Sequence, residues 1–374
     1  MKKKVTYYFY PGRIEKLKNP MNYSKEFFYS YDKLLDIKNF DTEFFEITNK
    51  NNFLSNFGKI FDKIVYKISK LQSDSSKFYS FNVLKSFTTS SIMIFTNYGL
   101  GLSAVPFLFI LNFFNKKKVI VINSGLFSLK ECNSIQKNIQ QLFLKIFINK
   151  ITFIVFTSRT EFEYALNIFP DKKLKFRWIE FGPEFEFWSS NKQNNIKKDG
   201  ILVIGNDAGR NYELTLQIVE KLPKIKFTIV TQNELVSKYN FKNLELISGK
   251  WSDSSLTDLD ILKLYNKAKL TIVPLHDTLV ASGQSVTLQS MSAFTPVLIS
   301  KTIGFWNKSI FKNNREIFFA DKNTLEDWLD KIEAIYHNSH LLEYVSNNGF
   351  NIVKNTLNKK NFDKKFIYLI ESLL

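Results

Sequence analysis

A single cysteine, Cys132, in 374 residues leaves no disulfide framework and no cysteine metal cluster. Histidine is nearly as scarce, with only His276, His337 and His340. No apolar run is long enough to span a bilayer. The longest apolar region, Ile92 to Phe114, is interrupted by Asn97, Gly99, Gly101 and Pro106, and its cleanest stretch, Leu100 to Leu111, is too short. Met1-Lys2-Lys3-Lys4-Val5-Thr6-Tyr7 leads into a short strand pattern and lacks a signal-peptide core. There is no short-period repeat and no long low-complexity tract. These absences point to a cytosolic compartment.

Acidic residues are also in deficit. Against 52 Lys and Arg stand 35 Asp and Glu, a net charge of +17. The excess is lopsided: residues 1–180 carry 28 basic and 14 acidic side chains, residues 181–374 carry 24 and 21. The N-terminal half is therefore expected to face a polyanion, an acidic membrane surface or nucleic acid. No recognised nucleic-acid module is present, so a nucleic-acid partner is not expected.

The length favours two domains, and 44% hydrophobic residues suffice for globular cores. Short apolar strands alternate with helical patterns. In the N-terminal half, strands are predicted at Val5–Phe9, Ile92–Thr96, Val119–Ile122, Ile151–Thr157 and Phe176–Phe181. Helices are expected over 59–72, from the Asn97–Gly101 loop through Phe114, over 134–148 and over Glu161–Ile168. The 59–72 pattern sets Ile60, Phe61, Ile64, Val65, Ile68 and Leu71 on one side and Lys59, Lys63, Lys67 and Lys70 on the other. Two readings stand: a basic amphipathic helix at a membrane interface, or a surface helix docked on a sheet. Gly182-Pro183 and the polar run Ser189–Asp199 read as a linker. The pattern then restarts with strands at Ile201–Ile204, Phe227–Thr231, Leu244–Ile247 and Leu270–Pro274, and helices at Tyr212–Leu222 and Leu256–Ala268. Further helices are expected at 324–336, 340–355 and 361–373. The fold class is α/β, two facing Rossmann-like doubly wound domains. The expected division is 1–182, 183–355, and a C-terminal helix in 356–374 packing back towards the first domain.

One stretch organises the second domain. Ser282-Gly283-Gln284-Ser285-Val286 is a small-residue loop leading into a helix, followed by the apolar strand of Pro296-Val297-Leu298-Ile299. Free N–H groups and the helix dipole at that start suit a phosphate or diphosphate. Gln289, one turn on from Ser285, can reach a ligand seated there. A second anion-suited loop, Gly205-Asn206-Asp207-Ala208-Gly209-Arg210-Asn211, follows the first strand of the same domain. Arg210 can hold a phosphate through two hydrogen bonds. Tyr10-Pro11-Gly12-Arg13 makes a turn at the carboxyl end of the first strand, the sheet edge where ligands sit. Asp258-Leu259-Asp260 imitates a D-x-D metal motif but opens a helix, where Asp is expected as a cap. No metal site is expected.

As a set, these segments resemble the GT-B glycosyltransferases, in particular the large retaining family (glycosyltransferase family 4) with its glycogen-synthase-like and lipid glycosyltransferase members. Phe181-Gly182-Pro183-Glu184-Phe185-Glu186-Phe187 resembles the family's G-V-D-x-x-x-F. Gly205 to Asn211 resembles its G-R-x-x-x-K-G loop, with Arg210 near the Lys. Leu264-Tyr265-Asn266-Lys267-Ala268 with Val273-Pro274 resembles L-Y-x-x-A-D…P-S. Ser282 to Ser292 with Pro296 to Ile299 resembles E-G-F-G-L-x-x-L-E-A-M-A-x-G-x-P-V-I. The match covers most of 150–300 and is weak over 1–150.

The resemblance implies a nucleotide-sugar donor, a UDP-hexose, and no further cofactor. It places the diphosphate on Arg210 and on backbone N–H groups of Ser285 and Val286, with Gly205, Ser282, Gly283 and Gln284 shaping the loops. Gln289 stands where the family's ribose-binding Glu is, and Lys250-Trp251 where base contacts come. Tyr10 to Gly12 matches the first glycine-bearing loop, near phosphates and acceptor. Ala281 replaces the Glu that contacts the donor sugar. The family's catalytic-site His has no match; Asn123 or Ser124 occupies that loop. A metal-independent retaining transfer of a hexose to a membrane lipid such as diacylglycerol is expected, by a peripheral protein on the inner face of the cell membrane. Lys59, Lys63, Lys67 and Lys70 would meet the anionic surface. The alternatives are a polysaccharide or other soluble acceptor, and an inactive GT-B scaffold.

Overall fold

The computed structural model describes residues 2–49, 53–71, 73–111, 117–127, 133–190, 198–249 and 255–374. Contacts divide the chain into two compact units. The first comprises residues 1–14, 28–180 and 363–374; the second comprises 15–27 and 181–362.

The first unit is built on a six-stranded parallel sheet. Its strands are β1 (Lys3–Phe9), β2 (Phe40–Glu46), β3 (Ile92–Phe95), β4 (Lys118–Asn123), β5 (Phe153–Phe156) and β6 (Phe176–Trp178), in the order β2-β1-β3-β4-β5-β6. The central strands Ile-Met-Ile-Phe and Val-Ile-Val-Ile are buried on both faces, as continuous apolar runs in parallel sheets require. The order reverses between β1 and β3, so the loops after these two strands border a topological switch point. Tyr8 anchors the core: its ring stacks on Phe95 at 4.7 Å and its hydroxyl pairs with Ser86 at 2.8 Å.

The second unit carries β7 (Ile201–Ile204), β8 (Phe227–Val230), β9 (Leu244–Ile247), β10 (Leu270–Val273), β11 (Val297–Ser300) and β12 (Phe318–Ala320), all parallel, in the order β12-β11-β10-β7-β8-β9. Here the switch lies between β7 and β10. Ile201, Val203, Ile229, Ile272 and Leu298 pack with Trp328 and Ile332 of the Leu325–Tyr336 helix into one core. Residues 15–27 belong to this unit because Asp258 holds them: its carboxylate takes the Ser24 N–H and hydroxyl, each at 3.0 Å, and the Lys16 ammonium at 3.4 Å.

Ten expected strands form. β2 and β12 escaped the sequence pattern: β2, an edge strand, reads Phe-Asp-Thr-Glu-Phe-Phe-Glu and is mostly half-buried, and β12 has only three residues. The expected Asn97–Gly101 loop is instead largely helix, since Tyr98–Leu111 starts inside it. Gly101 lets that helix lie close on β4; a Cβ there would come within 2.8 Å of Val121. The cap expected of Asp258 is supplied by Thr257, which takes the Asp260 N–H while Asp260 reaches back to Thr257. The Ser189–Asp199 linker lies mostly outside the described residues, as does Cys132.

Replacing Gly101 sets two terms against each other. Ala gains about 1 kcal/mol of helix propensity, while overpacking costs about 1–3 kcal/mol. Gly101→Ala is therefore expected to lower the urea midpoint at unchanged slope. A raised midpoint would mean that the helix does not press on Val121.

Candidate anion-binding site

The site forms at the β7/β10 switch point of the second unit. Because β7 and β10 are neighbours, the loops after them meet. The Gly205–Arg210 loop runs beside the chain leaving β10: Arg210 bridges to Leu275, the His276 N–H donates to the Gly209 carbonyl at 2.9 Å, and the Asn211 N–H to Pro274 at 3.0 Å. Asn206 ties the loop's base to its surroundings. Its amide donates to Gly249, and its oxygen takes the Thr231 hydroxyl and the Gln232 N–H. Gly209 abuts Ser282, where any Cβ would overlap the Ser282 hydroxyl.

Arg210 lies in this junction, buried, with its side chain 4% exposed. The guanidinium rests against Gly205 (φ +155°) and Gly283 (φ +77°); a Cβ at Gly205 would overlap it, and one at Gly283 would lie 3.3 Å from Nη1. Both glycines are thus required, by backbone conformation and by space. Arg210 Nε forms an ion pair with Asp207 Oδ2 at 3.0 Å, but neither Nε nor Nη1 has a well-directed hydrogen-bond partner. A buried guanidinium nitrogen without an acceptor is costly unless a ligand supplies one.

The Gln284–Ser292 helix starts next to it. Its N-cap is Gly283, left-handed and without a side chain, so the N-cap residue supplies no oxygen to the N–H groups of Ser285 and Val286. Uncapped amides, the positive helix end and an unsatisfied guanidinium converge on one point, an arrangement suited to a dianion or diphosphate. Gln284 and Val286 are buried, and Ser282 and Ser285 half-buried.

Gln289 has other engagements. Its amide nitrogen donates to Glu26 at 2.9 Å, and its oxygen faces the Tyr265 hydroxyl at 3.4 Å. Glu26 also takes the Trp188 indole N–H at 2.9 Å and the Glu184 N–H at 3.2 Å, and burial raises its pKa above the ordinary carboxylate range. Sequence reasoning missed Glu26, which lies more than 250 residues from Gln289 along the chain. Ala281 is buried, and His276 is exposed at the strand end. Lys250 and Trp251 lie outside the described residues.

In the first unit, Gly12 (φ +113°) precedes the Arg13–Lys18 helix, but Glu46 already accepts the Arg13 and Ile14 N–H groups there. Asn123 is fully buried and accepts the Leu126 N–H at 3.1 Å, whereas Ser124 is exposed. Their loop is held from within by Glu161, which accepts the N–H groups of Gly125 and Phe127 and whose pKa is raised by burial. Glu161 carried no signal of its own in the sequence.

The lysines at 59, 63, 67 and 70 lie on or just after the Phe53–Ser69 helix. This helix buries a face of small residues and valine, Ser55, Gly58, Val65 and Ser69. Its large apolar residues, Phe53, Leu54, Phe57, Ile60, Phe61, Ile64 and Ile68, are 37–75% exposed. At about 100° per residue, Lys59, Lys63 and Lys67 form a band between the buried face and this exposed ridge. The expected stripe is real, and most of it points outward. No helix among the described residues is long and apolar enough to cross a membrane.

No protein-family model matches the chain, and no curated protein matches it. Solved structures do. TarM matches with a TM-score of 0.59 at 15% identity, over 79% of this chain and 58% of TarM, so the chain spans less than two thirds of that protein. Sucrose-phosphate synthase from Thermosynechococcus elongatus matches at 0.66 and 11% identity, over 100% of this chain and 99% of that one. Anabaena HepE, in complex with UDP and glucose, matches at 0.63 and 10% identity, over 99% and 100%. With its two six-stranded parallel sheets, the chain has the GT-B fold of two Rossmann-like domains.

Pyrophosphate is the simplest probe of the site. Arg210→Met should weaken its binding, read by calorimetry, about 10- to 100-fold, the worth of a charge-assisted hydrogen bond. Asp207→Asn should strengthen it about fivefold by removing a half-exposed competing charge. Unchanged affinity in Arg210→Met would remove the guanidinium from the site.

Proposed function

We propose that the protein is a GT-B glycosyltransferase that takes a hexose from a UDP-sugar and passes it, with retention, to a membrane lipid such as diacylglycerol. The observation that carries this is the buried, partly unsatisfied Arg210 guanidinium beside the uncapped start of the Gln284–Ser292 helix. Cleavage of a glycosyl–phosphate bond leaves the electron pair on the diphosphate. Donors fixed in advance at that oxygen stabilise the transition state more than the bound donor, so they raise turnover. Arg210 Nη1 and the Ser285 and Val286 N–H groups are those donors. HepE, of the same fold, has been crystallised with UDP and glucose, which supports a uridine nucleotide. Same-face attack by the acceptor hydroxyl uses the departing phosphate oxygen as its proton acceptor, so no dedicated protein base is required.

The lipid acceptor is supported by the Phe53–Ser69 helix. An exposed apolar ridge flanked by Lys59, Lys63 and Lys67 suits the boundary of an anionic bilayer, at the inner face of the cell membrane. A second reading, a nucleotide-binding protein without turnover, is favoured by Ala281 at the donor-sugar position and by the engagement of Gln289 with Glu26.

The deciding experiment offers a panel of nucleotide-sugars with a total lipid extract and reads new glycolipids by mass spectrometry. A UDP-hexose is expected to yield product, and Arg210→Ala should lower kcat about 10²- to 10³-fold without altering sedimentation with phosphatidylglycerol vesicles. UDP binding with no product from any donor would favour the second reading. Lys63→Glu with Lys67→Glu should cut vesicle partitioning more than tenfold, at about 1 kcal/mol for each lysine lost. Sedimentation equal to wild type would detach this helix from the membrane.

A further inference from the structure

The first unit holds an apolar cavity of about 290 Å³ that the proposed chemistry does not use. It lies between the Phe53–Ser69, Tyr98–Leu111 and Ser134–Lys150 helices, lined by Phe61, Val65, Val105, Phe109, Phe143 and Ile146. Among the described residues its one polar liner is Ser73, whose hydroxyl is turned to Asp62 at 2.7 Å. The rest of the described walls is apolar, and dry apolar cavities take apolar guests. The volume is at the lower end for small-molecule pockets, about 300–1,000 Å³.

Two of the walls reach solvent: Phe61 is 42% and Phe109 is 40% exposed. Phe61 also belongs to the outward apolar ridge of the Phe53–Ser69 helix. The ridge therefore runs on into the cavity without a polar break, on the side away from the Lys59, Lys63 and Lys67 band. A further cation, Lys150, lies against one of these two exposed walls, its ammonium 3.9 Å from the centre of the Phe109 ring.

We propose that this cavity takes one acyl chain of an anionic bilayer lipid, with the headgroup phosphate left at Lys150. The apolar lining suits a hydrocarbon chain, and the cation against the exposed Phe109 wall suits the phosphate at its end. The continuity of ridge and cavity lets a chain pass from the bilayer without crossing water. This rests on the proposal that the Phe53–Ser69 helix meets a membrane; it does not depend on the donor chemistry of the second unit.

The test uses two probes and two cavity-filling variants, Val105→Trp and Ile146→Trp, placed on different walls. In solution, a fluorescent polyene fatty acid should bind wild-type protein saturably, and each variant should bind it about tenfold or more weakly with its thermal melting temperature not lowered. In vesicles, phosphatidylglycerol with a mid-chain diazirine should, on irradiation, label residues of the cavity in wild-type protein and not in the variants, all of which still sediment. Lys150→Glu should lower that labelling. The proposal is overturned if the polyene does not bind saturably, if both variants bind and label like wild type, or if label falls only on outer residues such as Phe53 and Ile64. Saturable polyene binding by a wild-type protein that fails to sediment would support the cavity and reject the membrane proposal alone.

Discussion

The site depends on one packing constraint: a guanidinium enclosed between two glycines. Arg210 is buried against Gly205 and Gly283, and its position holds the loop after β7 against the chain that enters the Gln284–Ser292 helix. Asp207 neutralises one edge of it, leaving Nη1 turned away from any protein acceptor. Burial of a charge is tolerated when it is paired, and here the pairing is half complete. The remaining half is what the proposed anion would complete, and the helix end beside it has the same sign.

The carboxylates show the opposite use of burial. Glu26 and Glu161 are both fully enclosed and both act inward, Glu26 on Trp188 and Gln289, Glu161 on the backbone of the loop after β4. Each takes several N–H donors, which is what makes a buried carboxylate tolerable. Glu46 occupies the start of the Arg13–Lys18 helix in the same manner. In the first unit the amides following β1 are thus already supplied with a carboxylate, whereas the Gln284–Ser292 helix starts without a side-chain cap. That contrast is the reason the proposed anion site is assigned to the second unit.

The Phe53–Ser69 helix inverts the usual arrangement. Its close approach to neighbouring elements uses small residues: a Cβ on Gly58 would come within 2.6 Å of Ser76. Asp62 accepts the N–H groups of Ser75 and Ser76 and thereby fixes the helix to that turn. With the closest contacts made by small residues and one carboxylate, the phenylalanines and isoleucines stand largely outside, 37–75% exposed. Exposed apolar ridges of this extent mark surfaces with something to meet.

Parallel strands buried on both faces announce themselves as apolar runs, which is why ten strands and most helices were legible along the chain. β2 and β12 were not, because β2 is an edge that mixes acidic residues with its phenylalanines and β12 is only three residues long. Ser282–Val286 and Gly205–Arg210 were read as anion-suited loops from local chemistry alone, glycine, small residues, a helix start and an arginine, and the structure brings the two loops together. Whether Lys59, Lys63 and Lys67 flank a buried or an exposed stripe could not be read from periodicity, since periodicity gives the angle between faces and not which face turns inward. That Gln289 would be held by Glu26, that Glu161 would support the Asn123–Phe127 loop, and that Arg210 would keep guanidinium nitrogens without a hydrogen-bond partner were decided by the tertiary structure alone. Each depends on groups brought together from distant parts of the chain, and only packing determines which polar atoms are satisfied and which are left for a ligand.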